Sequence, residues 1–179
     1  MHSMLKEILV SEKDIVSRSK ELGLMITKDY KDSGSTPLLV ALLKGSVPFL
    51  AELIKHIELD ITLDFMDVSS YEGTESLGDI KILKDLDSSI RGLDILLVED
   101  IVDTGKTLVT VKELLFRKGA KSVKIVSLLN KQSRRTEEVD VDYIGFEVRD
   151  EFVVGFGLDY NEMFRNLPYV GVLKDECYQ

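Results

Sequence analysis

The chain has 179 residues, 44% of them hydrophobic and 31% charged, with 12 glycines and 3 prolines. That length predicts one domain over residues 1–179 with enough apolar side chains for a real core, and the composition excludes collagen-like, low-complexity and disordered chains. A balance of 23 Lys and Arg against 32 Asp and Glu leaves a net charge of −9, which argues against nucleic acid or an anionic membrane as the main partner, because both need a positive field.

In chain order, Met1-His2-Ser3 reads as foreign to a chain starting at Met4, and no signal-peptide core follows. Ser11 is placed to cap a first helix, with Asp14 at the capping-box position, and Ile15, Val16, Ser19 and Leu22 form its stripe over about residues 11–30. Asp32-Ser33-Gly34-Ser35 ends it. Leu38-Leu39-Val40-Ala41-Leu42-Leu43 is apolar on both faces, as a buried parallel strand requires, and Lys44-Gly45-Ser46 leads to a helix carrying Phe49, Leu50, Leu53 and Ile54. Residues 61–69 alternate in part and read as a strand, whereas residues 70–78 are polar, glycine-punctuated and read as a mobile loop.

Ile95-Leu96-Leu97-Val98 is a second apolar strand, followed by an acidic, glycine-containing turn and a helix with Leu108, Val111, Leu114 and Leu115, stopped at Gly119. A third core strand covers residues 123–129, and shorter strands cover 143–148 and 152–156. No apolar run approaches the roughly 18 residues of a membrane span. Cys177, the only cysteine, can form neither an intrachain disulfide nor a thiolate zinc site, which fits a reducing cytoplasm. Strand–helix–strand repetition with apolar strands predicts an α/β fold, an open and mostly parallel twisted sheet flanked by helices. Ligands of such sheets sit beyond the carboxyl ends of the strands.

The chemistry concentrates in Val98-Glu99-Asp100-Ile101-Val102-Asp103-Thr104-Gly105-Lys106-Thr107-Leu108, which leaves a strand and enters a helix. Glycine permits a tight turn, the free amides of the helix start carry partial positive charge, and Thr104 and Thr107 add hydroxyls, so this is a phosphate cradle. Glu99, Asp100 and Asp103 would repel a phosphate on contact. They must therefore face ribose hydroxyls, a divalent metal or a protonated ring nitrogen, and the implied ligand is a sugar phosphate. A Walker A loop is excluded, because the position that needs its first glycine is Asp100. An alternative reading makes Asp103 or Thr104 a plain helix cap.

This stretch resembles the phosphoribosyl-diphosphate motif of the type I phosphoribosyltransferases. Further likeness extends over residues 5–173: Leu43-Lys44-Gly45-Ser46 resembles the diphosphate loop, and Ser69-Ser70-Tyr71 with Gly73-Thr74-Glu75-Ser76 the catalytic lid. Lys131 follows the third core strand, where the family keeps a purine-reading lysine. Residues 152–160 with Phe164-Arg165-Asn166-Leu167-Pro168 are similar to the C-terminal segment of the 6-oxopurine (hypoxanthine-guanine) subgroup.

The resemblance implies a fold with a small hood made by the N- and C-terminal segments. It implies transfer of the phosphoribosyl group from phosphoribosyl diphosphate to hypoxanthine or guanine, giving IMP or GMP and diphosphate, with Mg²⁺ as cofactor and an oxocarbenium-like transition state. In that scheme Asp103, Thr104, Gly105, Lys106 and Thr107 bind the 5′-phosphate, Glu99 and Asp100 the ribose hydroxyls, and Asp103 also serves as proton acceptor near the purine. Lys44, Gly45 and Arg165 bind diphosphate; Lys131, Phe152, Val153 and Asp159 surround the purine; Ser70 and Tyr71 belong to the lid; Glu99, Asp100 and Asp159 contact metal. In the family the Leu43–Lys44 peptide can be cis, and the assembly is a homodimer or homotetramer.

Against these roles stand plainer ones. Lys44 and Lys131 can be solvated surface charge, Phe152 a core aromatic, Asp159 a loop carboxylate and Arg165 a surface ion-pair partner. The lid stretch is one residue shorter than the family pattern, with Glu72 after its tyrosine, and Phe156 replaces a frequent tyrosine. Two rival functions remain at this point: a phosphoribosyltransferase-fold regulator of nucleic acid, which the charge of −9 disfavours, and a xanthine-preferring transferase.

Overall fold

The apolar runs form neighbouring parallel strands in a computed structural model that describes residues 1–70 and 80–178. Strands β2 (Leu38–Leu42), β3 (Thr62–Ser70), β5 (Asp94–Val102), β6 (Ser122–Asn130) and β7 (Tyr143–Glu147) run parallel, and β4 (Ile80–Lys84) pairs antiparallel with β3 at the edge. The order is β4-β3-β2-β5-β6-β7. The central position of β2 and β5 explains their composition, since a strand covered on both faces has no solvent side to carry polar residues.

Alternate residues of these strands supply two separate cores. Leu39, Ala41, Leu96, Val98 and Leu128 pack with helix α1 (Glu12–Ser33) and α2 (Val47–Leu53). Leu38, Val40, Leu42, Ile95, Leu97 and Ile125 pack on the other face with Leu108, Val111 and Leu115 of α3 (Lys106–Arg117). Each such leucine removed from water contributes about 1.5–3 kcal/mol, so the sheet is held from both sides.

Helix α1 starts and stops where its sequence predicts. The Ser11 hydroxyl accepts the Asp14 amide at 3.2 Å, and Gly34 closes the helix in the left-handed region at φ 65°. Ile15, Ser19 and Leu22 are buried, but Val16 is exposed: the true stripe continues through Ile26 and Tyr30, and Val16 lies beside it.

Three strands escape the sequence reading: β4, β1 (Leu5–Val10) and β9 (Val170–Leu173). With β8 (Val153–Val154), which falls inside the strand expected over 152–156, β1 and β9 form a separate antiparallel sheet, β1-β9-β8, with Leu5 opposite Leu173 and Val153 opposite Val172. N- and C-terminal segments thus build the hood together. β5 is also longer than its apolar run, because its ladder with β6 carries on through Glu99↔Ser127 to Val102↔Asn130. Glu99 and Asp100 therefore stand on the strand, and only Asp103 belongs to the turn after it.

Ser70, expected in the lid, is the last residue of β3 and pairs with Ile80. Tyr71 and the Gly73-Thr74-Glu75-Ser76 stretch of the expected lid lie outside the described residues. No helix among the described residues is long and apolar enough to cross a membrane.

Candidate active site

Parallel register brings the ends of β2 and β5 side by side, with Ala41 opposite Val98. The residues that follow each strand consequently converge on one cavity of about 410 Å³, lined by Lys44, Gly45, Val68, Glu99, Asp100, Thr107 and Arg165 among others. Six of the residues expected in the site meet here.

The 43–46 loop is built for close approach. Its Leu43–Lys44 peptide is cis, as the family resemblance allows, and the buried Ser46 hydroxyl donates to the Leu42 carbonyl. A Cβ on Gly45 would lie 1.6 Å from Asp100 Oδ2, and one on Gly157 would lie 1.9 Å from the Gly45 carbonyl oxygen. Any side chain at either position would drive the loop off the acids or off the hood.

Glu99 and Asp100 occupy the cavity wall half-buried. Burial, and then the neighbouring Asp100 charge, pushes the Glu99 carboxyl well above the usual carboxylate range. Burial likewise pushes Asp100 up to about 6, against the lowering effect of the Ile101 amide, which donates to its Oδ1 at 2.7 Å. Two adjacent carboxyls that are costly to ionise favour a cation or a set of hydroxyl donors before them.

Asp103 is not the cap of α3. Gly105 is, at φ 87°, and it makes no side-chain cap hydrogen bond among the described residues. The first-turn amides are thus left for another partner, as a phosphate cradle requires. The turn is braced from behind: the Thr104 carbonyl accepts the Thr136 and Glu137 amides at 3.0 and 3.1 Å. Asp103 Oδ1 is shielded from solvent and accepts no hydrogen bond among the described residues, while Arg134 Nε stands 3.3 Å away as an ion-pair partner.

Lys131 is not surface charge. It is 6% exposed, its amide donates to the Val102 carbonyl at 2.9 Å, and its ammonium lies 3.8 Å from Asp150, which also pairs with Arg134 at 3.7 Å. Phe152 is not a core aromatic either, being 37% exposed. Val153 buries its side chain and pairs with β9 along one edge only, because β8 ends the hood sheet.

In the hood loop, Arg165 reaches Asp159 at 2.9 Å, the Gly157 carbonyl at 2.8 Å and Glu162 at 3.4 Å. Lys44 also pairs with Glu162, at 3.2 Å. All four non-glycine residues with positive φ among the described residues (Phe156, Asn161, Glu162 and Phe164) fall in this hood loop, where unusual backbone is tolerated for the sake of placement. Among the described residues no three His, Cys, Asp or Glu side chains gather into a metal-holding group, so Glu99, Asp100 and Asp159 do not form one cluster. Asp159 is instead occupied by Arg165 and by the Glu162 amide, which donates to its Oδ2 at 2.9 Å.

Sequence reasoning missed Arg134, Asp150 and Glu162. Arg134 was visible only as one of several charges after Lys131, and Asp150 and Glu162 carry no motif of their own.

Residues 13–161 match the family described as the phosphoribosyl transferase domain. The chain is 57% identical over 175 residues to a hypoxanthine-guanine phosphoribosyltransferase of Lactococcus lactis, covering 97% of this chain and 94% of the relative. It is 54% identical to the enzyme of that name from Streptococcus thermophilus, covering 97% and 96%. A crystal structure of a hypoxanthine phosphoribosyltransferase from Staphylococcus aureus superposes with a TM-score of 0.95 at 50% identity, covering 100% of this chain and 97% of that one. A cavity at the strand ends, a helix start capped by glycine without a side-chain hydrogen bond and these likenesses agree: the chain belongs to the phosphoribosyltransferase family.

Proposed function

We propose that the chain performs the purine-salvage reaction for which its relatives are named. It transfers the 5-phosphoribosyl group from phosphoribosyl diphosphate to hypoxanthine or guanine, releasing IMP or GMP and diphosphate. The observation that carries the reading is the cavity in which Glu99 and Asp100 face the Lys44-Gly45 loop and Arg165, with Thr107 of α3 in its wall.

The 5′-phosphate rests on the amides and hydroxyls of residues 103–107, where the glycine cap offers the helix start no side-chain hydrogen bond. Glu99 and Asp100 take the ribose hydroxyls. Lys44, the Gly45 backbone and Arg165 receive the diphosphate, whose arrival competes with Glu162 for both cations. Departure of diphosphate leaves positive charge on the pentose, and the carboxylates below it stabilise that charge in place. The purine nitrogen then bonds to the anomeric carbon, and Asp103 accepts the proton from the base.

Lys131 donates to the 6-oxo group; it has no acceptor capacity, so the amino group of adenine finds no partner. Phe152 offers its exposed ring to the purine face, and Val153 offers backbone groups along the free edge of β8.

Mg²⁺ fits the donors present, since buried carboxyls that resist ionisation gain from a hard cation that also binds phosphate oxygens. Glu99 and Asp100 would hold it, with Asp159 a second contact beside the diphosphate. When bound, Mg²⁺ neutralises diphosphate charge, which reconciles an acidic protein with an acidic substrate. The free thiol of Cys177 supports a cytoplasmic setting. We also propose a dimer or tetramer, which elution as a monomer in gel filtration would contradict.

The test is incubation with Mg²⁺, phosphoribosyl diphosphate and each of hypoxanthine, guanine, xanthine and adenine, measuring nucleotide and diphosphate. Turnover is expected with hypoxanthine and guanine. Its absence with both would overturn the reading, and turnover with xanthine alone would move the assignment to a xanthine enzyme.

A further inference from the structure

Phe152 sits at an awkward place for a stacking platform. It precedes the two-residue strand β8, and it is 37% exposed. A phenyl ring free to change rotamer would have to be ordered each time a base arrived, and that ordering subtracts from affinity. Two tyrosines remove the freedom. Tyr160 meets the ring edge-on, with centroids 5.6 Å apart and planes at 88°. Tyr178 stacks on it, with centroids 4.9 Å apart and planes at 27°. A stacked neighbour covers one face, so the 37% exposure of the residue lies on what Tyr178 leaves uncovered. The segment is also tied to the base-reading lysine, because Asp150, two residues earlier, lies 3.8 Å from Lys131 Nζ.

Tyr178 is itself anchored. Its hydroxyl donates to Asp175 Oδ1 at 2.8 Å and its amide to the Asp175 carbonyl at 3.2 Å. The tail that carries it is strapped to the hood: the Lys174 amide donates to the Met4 carbonyl at 3.1 Å, and the Leu173 amide to the Phe152 carbonyl at 2.8 Å. The same short segment thus grips the backbone and the ring of Phe152.

We infer that Tyr178 is a positioning residue for the purine: its ring backs Phe152 and holds the opposite face ready for the base. This rests on the phosphoribosyl-transfer reading above. The residue acts through Phe152, so its effect falls on the affinity for the base. It does not fall on the handling of phosphoribosyl diphosphate, whose partners Lys44, Glu99, Asp100 and Arg165 line a cavity that neither Phe152 nor Tyr178 lines.

The experiment is steady-state kinetics on the full chain and on Tyr178→Leu and Tyr178→Phe, with each substrate varied in turn and Tm measured for all three. Parent turnover checks the underlying reading first; an inactive parent overturns that reading and this inference with it. With an active parent, Tyr178→Leu should raise the KM for hypoxanthine by about 3- to 10-fold, the scale of one aromatic pair. The KM for phosphoribosyl diphosphate and kcat should stay within about twofold, since an aromatic pair acts on base affinity alone. Tyr178→Phe keeps the ring and should behave like the parent. The inference is overturned by an unchanged or lowered purine KM in Tyr178→Leu, the lowered value meaning that the tyrosine competes for the face the base needs. It is equally overturned if both KM values rise together, which is general damage, or if Tyr178→Phe matches Tyr178→Leu, which would assign the effect to the bond with Asp175.

Discussion

At the start of β5, Asp94 accepts hydrogen bonds from the Ser122 hydroxyl at 2.6 Å and from Lys121 Nζ at 2.9 Å. The Ser122 bond, with help from Lys121 and against the cost of burial, holds its carboxyl below the ordinary range. At the far end of the same strand, Glu99 and Asp100 have been pushed the other way by burial and, for Glu99, by the adjacent acid. One strand therefore carries carboxyls whose ionisation stabilises the fold at one end and opposes it at the other. The amino ends of the strands are arranged for stability. The carboxyl ends keep charge without full compensation, and a ligand supplies what the protein withholds.

Breaking the functional end at its proposed proton acceptor gives the largest effect. Asp103→Asn should lower kcat by about 10²–10⁴ while the KM values move little, because a proton acceptor matters in the transition state. A normal kcat in steady-state assays would remove Asp103 from that role. Next comes Gly45→Ala. A methyl group 1.6 Å from Asp100 Oδ2 has to displace the loop or the acid. Misplacement of about 1 Å costs on the order of 10²-fold, so kcat/KM should fall by about that factor with far-UV circular dichroism unchanged. Lys131→Ala should relax base choice, lowering the preference for hypoxanthine over adenine by about 10- to 100-fold, the scale of a charged hydrogen bond. Competition assays with both bases measure it.

The remaining two predictions have opposite signs and sharpen the comparison. Asp100 titrates near 6 in the folded chain, above the unfolded value of roughly 3.9. The native state thus binds more protons between these values, stability falls as pH rises through the window, and the penalty is complete above it. Asp100→Asn should therefore raise Tm at pH 8 by roughly 2–4 °C, with the advantage vanishing by about pH 4, even as activity is lost. Asp94 is the reverse case. Its depressed value gives stability that is present above the unfolded pKa and is lost as pH falls through the lower folded value. Asp94→Asn should cost about 1 kcal/mol at pH 7, with the difference from the parent shrinking in acid. Thermal melts of both variants across pH decide the matter; equal and parallel shifts would refute the contrast between the two ends.

The sheet was readable because β2 and β5 announce themselves as continuous apolar runs and β6 as one interrupted only by Lys124 and Ser127, each within a few residues of chain. The edge strand β4, with Lys81 between its apolar residues and Lys84 at its end, and the four-residue β9 carry no such signal. Their strand character comes from the partners they find, Ser70 opposite Ile80 and Leu5 opposite Leu173. The phosphate turn was likewise readable, being contiguous from Glu99 to Thr107. Its capping was not, since Asp103 and Gly105 compete for the cap and only backbone geometry shows that Gly105 takes it.

Sequence by itself determined what is local: which runs are strands, which turn can cradle a phosphate, and which acids stand beside it. The tertiary structure decided what depends on distant segments meeting. It buried Lys131, seated Arg134 beside Asp103, set Gly45 against Asp100 and laid Tyr178 on Phe152. A strand or a turn is encoded by consecutive side chains, whereas burial and pairing depend on which remote surfaces the closed chain brings together, and no window of neighbouring residues contains that information.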